Sequence, residues 1–163
     1  MPPIIAIHIH NTPMEGFKPE AQELIRRGRE DFDDAVRFAA RTREFLKFMD
    51  SEGIERGLIN YVSPDVIGFT SEMNEWVARY CQTDPKRLLA FGSVHPKYVL
   101  NPGTEVDRLK KIGIRALTVH PSHQLFAPND RGNIEKFRAP PISRASQQKT
   151  LYDNAAPLFP AQA

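Results

Sequence analysis

Four short apolar runs, each separated from the next by a stretch with helical spacing, constrain what this chain can fold into more than any other feature. The runs lie at about 3–9, 54–62, 88–94 and 114–119, and they are rich in β-branched and large apolar residues. Each is nearly continuous rather than alternating, which is the pattern of a strand covered on both faces. Between them, helices are predicted over about 18–29, 35–51, 71–82 and 103–112. Asp33 or Asp34 is suited to cap the second of these. Val36, Phe38, Ala39, Phe45, Leu46, Phe48 and Met49 recur along it at helical spacing. Gly53 is suited to the left-handed position that ends it. Strand alternating with helix is the order of a parallel sheet with crossover helices, so the fold class is α/β.

The periodicity stops near residue 130. Residues 131–163 contain only seven large apolar side chains, interrupted by Pro140-Pro141, Pro157 and Pro160, and carry a charge of +3 against −1 for the rest. Two units are therefore expected, a folded domain over 1–130 and an irregular, disordered tail over 131–163. The net charge of +2 gives no case for nucleic acid. No apolar run reaches the length of a membrane span. The single cysteine, Cys81, precludes an internal disulfide. A cytoplasmic protein is the expectation.

All five histidines stand at or just beyond the carboxyl end of a predicted strand, where α/β folds gather their chemistry. His8 and His10 occupy alternate positions, so both imidazoles share a face. Such a pair can bind one cation, at about 2.0–2.1 Å for zinc, or can hydrogen-bond to neighbouring loops. His95 and His120 each precede a proline, which favours extended backbone, and suit a structural or substrate-facing role better than a ligand role. His123 falls in a polar loop and is expected to be solvated. Phe45, Trp76 and Tyr80 read as core, and Cys81, without a second nearby cysteine, as inert. Ser63-Pro64-Asp65 follows the second strand and suits either a turn or the same rim. No Gly-rich phosphate loop, nucleophile elbow or zinc-ribbon spacing is present.

Several of these segments resemble the amidohydrolase-related family, and more narrowly its aminocarboxymuconate-semialdehyde decarboxylase-like branch. The resemblance rests on Ile4 to His10, on Phe45 to Ile59 with its Met-Asp-x-x-Gly-Ile-x-Arg run, on Pro85 to Gly92, and on Gly113 to Leu117 leading into His120-Pro121. It covers about 3–130. It implies the amino-terminal half of a (β/α)8 TIM barrel carrying a divalent metal, usually zinc, at the carboxyl ends of the strands. It also implies a hydrolase or decarboxylase acting on a small carboxylic acid. His8 and His10 would be metal ligands and His120 a pocket residue; His95 receives no ligand role.

The chain departs from the family in two ways. Ala6 stands where an aspartate is usual, and no fifth, sixth or eighth strand is present to supply the remaining histidine and aspartate ligands. A whole barrel needs about 250 residues, so a truncated or frame-shifted reading, or an alternative short product, is expected. The alternative is a catalytically inactive half-barrel that at most self-associates through its exposed edges.

Overall fold

The alternation is realised in the computed structural model, which describes residues 4–60, 67–95 and 97–125. Strand β1 (Ile4–Ile9) is followed by helices α1 (Pro19–Gly28), α2 (Phe32–Ala40) and α3 (Thr42–Ser51). Then come β2 (Ile54–Asn60), α4 (Met73–Gln82), β3 (Leu88–Gly92), α5 (Pro102–Lys111) and the short β4 (Ala116–Leu117). The four strands are parallel and lie side by side in chain order, β1-β2-β3-β4. Their carboxyl ends therefore share one edge. The Ser63-Pro64-Asp65 segment and the expected tail over 131–163 lie outside the described residues.

One face of the sheet is packed against the helices. Ile59, Leu88 and Ala90 meet Val77, Ala78, Tyr80 and Cys81 of α4, Phe45 and Met49 of α3, and Leu109 of α5. Met49, Ile59 and Val77 are fully buried. Each large side chain sealed in this way contributes roughly 1.5–3 kcal/mol, an upper bound because the unfolded chain is itself partly compact. Cys81 is inside this layer, and burial pushes its thiol up to about 12. It is inert at neutral pH, as expected.

The second predicted helix is in fact two. Arg41 breaks it with φ −137° and ψ 92°. The break folds Phe38 back over Phe45 and Phe48, with ring centroids 5.9 and 5.0 Å away. It also leaves the Phe38 carbonyl, near the end of α2, to accept a 2.8 Å hydrogen bond from the Tyr80 hydroxyl. Tertiary packing thus satisfies a helix end that spacing alone would have continued through. Nor does Asp33 or Asp34 cap α2. The helix starts at Phe32 after Asp31, whose carboxylate is held by Arg29 at 2.6 Å, leaving Asp33 and Asp34 in the first turn, where the helix dipole favours them. Gly53 does adopt the left-handed conformation, with φ 68°.

The other face departs from expectation. On β3 burial alternates, with Leu88 and Ala90 sealed and Leu89 38% exposed. Ile5 of β1 is 54% exposed. Among the described residues, an apolar run suited to burial on both faces is covered on one. Met49→Ala should lower unfolding stability by about 2–5 kcal/mol in urea titrations. Leu24→Ala, at a site 71% exposed on α1, should cost less than about 0.5 kcal/mol.

Candidate functional site

The carboxyl end of β1 places the histidine pair. The register against β2 slips between Ala6 and Ile9. Ile9 packs against the helix-covered core, so His8 and His10, its neighbours on either side, project from the opposite face. Both are exposed. Their rings stand edge to face with centroids 4.5 Å apart, and the two Nε2 atoms are separated by 2.7 Å. At that spacing one Nε2, carrying the proton, donates to the other. Two imidazole nitrogens on one tetrahedral zinc lie about 3.3 Å apart. A small opening of the pair would therefore let both address a single cation.

The loop that follows is pinned. Asn11 is buried, and its Nδ2 donates to the Tyr80 hydroxyl at 2.6 Å. The hydroxyl in turn donates to Phe38, so β1's end is tied to α4 and α2 together. Burial raises the Tyr80 pKa, against the lowering effect of the Asn11 hydrogen bond, and the phenol stays a donor.

Two buried amides organise the ends of β3 and β4. Asn74 of α4 donates through Nδ2 to the Ser93 carbonyl at 2.9 Å and accepts the Ser93 N–H at 2.8 Å through Oδ1. The clamp needs Gly92 beside it, because a Cβ there would stand 2.6 Å from Asn74 Oδ1 and 3.1 Å from Ile114 Cγ2. Gln124 donates through Nε2 to the Val94 carbonyl at 3.2 Å and accepts the His120 N–H through Oε1 at 2.9 Å. It ties the β4 end to the β3 end.

The remaining histidines sit apart from the pair. His95 is buried, with Nδ1 accepting the Lys97 N–H at 3.3 Å and its ring 4.5 Å from that of Tyr98. It lines a cleft of about 730 Å³ whose walls come from α4, α5 and the segment after β3. In that cleft Arg108 is gripped bidentately by Glu105, at 2.7 and 2.8 Å, and also pairs with Glu75. Its cation is already committed. His120 and His123 stack face to face, with centroids 3.7 Å apart and planes 12° apart. Ser122 Oγ lies 3.0 Å from His120 Nδ1. His123 is half-buried rather than solvated as expected; burial, and then the charge of His120, lower its pKa.

Among the described residues no three His, Cys, Asp or Glu side chains gather closely enough to hold an ion. The structure therefore supplies two converging imidazoles, fewer than the three protein donors a catalytic zinc uses.

Sequence reasoning missed Asn11, Asn74 and Gln124. Asn74 was open to discovery, because it precedes the buried Val77 and Cys81 by three and seven residues on one stripe of α4. Asn11 and Gln124 carry no such local signal.

No family model matches this sequence, and no curated protein matches it. Solved structures do. One is an uncharacterised TIM-barrel protein from Bordetella bronchiseptica, 16% identical with a TM-score of 0.60, over 83% of this chain and 51% of that one. A probable 2-pyrone-4,6-dicarboxylic acid hydrolase from Acinetobacter baumannii, with citric acid bound, is 19% identical at a TM-score of 0.51. That match covers 82% of this chain and 44% of the hydrolase. A 5-carboxyvanillate decarboxylase from Novosphingobium aromaticivorans, holding manganese and a nitrobenzoic acid, is 18% identical at 0.56, over 84% and 47%. The chain spans about half the length of these barrels. At such identities the likeness establishes the fold, a parallel half-barrel of four strands with its helices. Among the described residues no helix is long and apolar enough to cross a membrane.

Asn74→Ala should cost about 1–3 kcal/mol in unfolding stability, because it strands the buried Ser93 amide. His123 should titrate below its ordinary value of 6.5. The unfolded chain then binds protons that the folded chain refuses. This contribution is therefore present above pH 6.5 and is lost as pH falls toward the folded midpoint. His120→Ala should move the His123 midpoint, followed by NMR, back up.

Proposed function

We propose that this chain carries the first-strand part of the divalent-metal centre of an amidohydrolase-related hydrolase or decarboxylase acting on a small carboxylic acid. The observation that carries the reading is the convergence of His8 and His10 Nε2, 2.7 Å apart at the carboxyl end of β1. Support comes from the solved barrels of like fold, a probable hydrolase with citric acid and a decarboxylase with manganese. Zinc is the expected ion, since imidazole donors suit it. Bound there, a divalent cation would lower the pKa of a water toward 7 or polarise a substrate carboxylate. The chain's own residues hold the two donors at the rim through Asn11 and Tyr80. His120, beside Ser122, and His95, at the cleft, are the candidates for contact with a carboxylic acid. A lone buried cysteine suits the reducing cytoplasm.

A second reading is favoured by the open edges of β1 and β4, each of which has one strand neighbour among the described residues. It holds that the chain is an inactive half-barrel that self-associates without binding metal. Calorimetric titration with zinc and with manganese separates the two. On the first reading the unmodified chain binds, and replacing both His8 and His10 by Ala abolishes binding with little change in fold stability. Binding that persists in the double variant would falsify the assignment; no binding to the unmodified chain would favour the second reading.

A further inference from the structure

Two facts stand unresolved by a single copy. Among the described residues the strands are apolar on both faces yet covered on one, and the rim offers two metal donors where a centre needs at least three. We infer that a second copy of this chain completes both, closing the half-barrel into an eight-stranded ring whose metal centre is shared between the two His8/His10 pairs. The inference rests on the half-site reading of those histidines.

The uncovered face can be read from the register. Residues paired across neighbouring parallel strands point to the same side. Leu89 pairs with Leu58, Phe91 with Ala116, and Ile5 with Arg56. None of Ile5, Leu58, Leu89, Phe91 or Ala116 belongs to the helix-covered core or packs against it. They face the side that, in a closed barrel, is filled by side chains from the other strands. Arg56 on the same side lies at the opposite, amino-terminal mouth, where water can reach it. His8 and His10 face this side as well, at the carboxyl mouth.

Symmetry then dictates the rest. A two-fold axis along the barrel axis sets β4 of one copy beside β1 of the other, parallel, and does so twice. Both edges vanish in one closed arrangement, and no growing filament is left. Because β4 spans only Ala116–Leu117, the seams are short, and association leans on the apolar interior. Strands four places apart in a ring of eight stand opposite one another. The two β1 strands therefore face each other across an interior just wide enough for side chains to fill. By symmetry the partner's His8 and His10 lie at the same height as this chain's pair. Four imidazoles around the axis meet the donor count that the described residues of one copy do not.

Sedimentation equilibrium of the full chain, combined with metal analysis, tests this. The expected result is a dimer, twice the chain's 18.5 kDa, holding one zinc per two chains. His8→Ala/His10→Ala should remain dimeric and lose the zinc. Leu89→Lys should give monomers, and zinc affinity should fall by at least about a hundredfold, because two imidazoles on one chain no longer have a second pair held beside them. Ile5→Lys, on the same face, repeats the test if Leu89→Lys loses its circular dichroism. A monomer in the presence of zinc overturns the inference and means that this chain's own residues or another protein cover the face. One zinc per chain, with affinity unchanged in Leu89→Lys, overturns the shared centre and leaves the half-site reading standing. Dimers without zinc overturn the half-site reading and the shared centre with it.

Discussion

The packing of α4 across β2 and β3 is the contact on which the rest of this structure depends. Val77, Ala78, Tyr80 and Cys81 cover Ile59, Leu88 and Ala90, and α3 and α5 close the layer from either side. The same helix carries the two polar groups that organise the rim. Asn74 clamps the backbone just beyond β3, and Tyr80 receives Asn11 from the end of β1. A rigid helix seated on an apolar sheet thus sets where two strand ends stand. Loss of that seat would move the core and the candidate site together.

The polar interior is economical. Asn74 makes two hydrogen bonds to a single backbone residue, and Gln124 reaches the ends of two strands. Buried amides leave costly vacancies if their partners shift, so each behaves as an all-or-none lock on the local geometry. His8 and His10 are different. They stand exposed at the carboxyl end of β1, outside the packed layer.

The bare face gives the half-barrel its physical logic. Continuous apolar strands such as Leu88 to Gly92 are costly to leave wet on one side, and parallel sheets are rarely found so. In the barrels of similar fold the remaining strands remove that cost. Here Ile5 and Leu89 meet no cover among the described residues. In the cleft between α4 and α5 Arg108 is already held by Glu105 and Glu75, which leaves His95 as the group there that could meet a carboxylic acid.

The four strands, their order, the helices between them and the placement of histidines at strand ends were legible in the sequence, because apolar period and punctuation are local properties. The pair His8-x-His10 could be read as sharing a face for the same reason. What tertiary structure decided were the features set by groups far apart in the chain. Arg41 splits a helix whose spacing runs through it, because the end of α2 finds Tyr80 some forty residues on. Asn11 and Gln124 become rim locks through partners 69 and 30 residues away, and His123 loses solvent to the ring of His120. Which face of the sheet is covered was likewise invisible in the strands themselves. A strand's sequence records that both of its faces are apolar, but only the assembled layers determine which of them has found a neighbour.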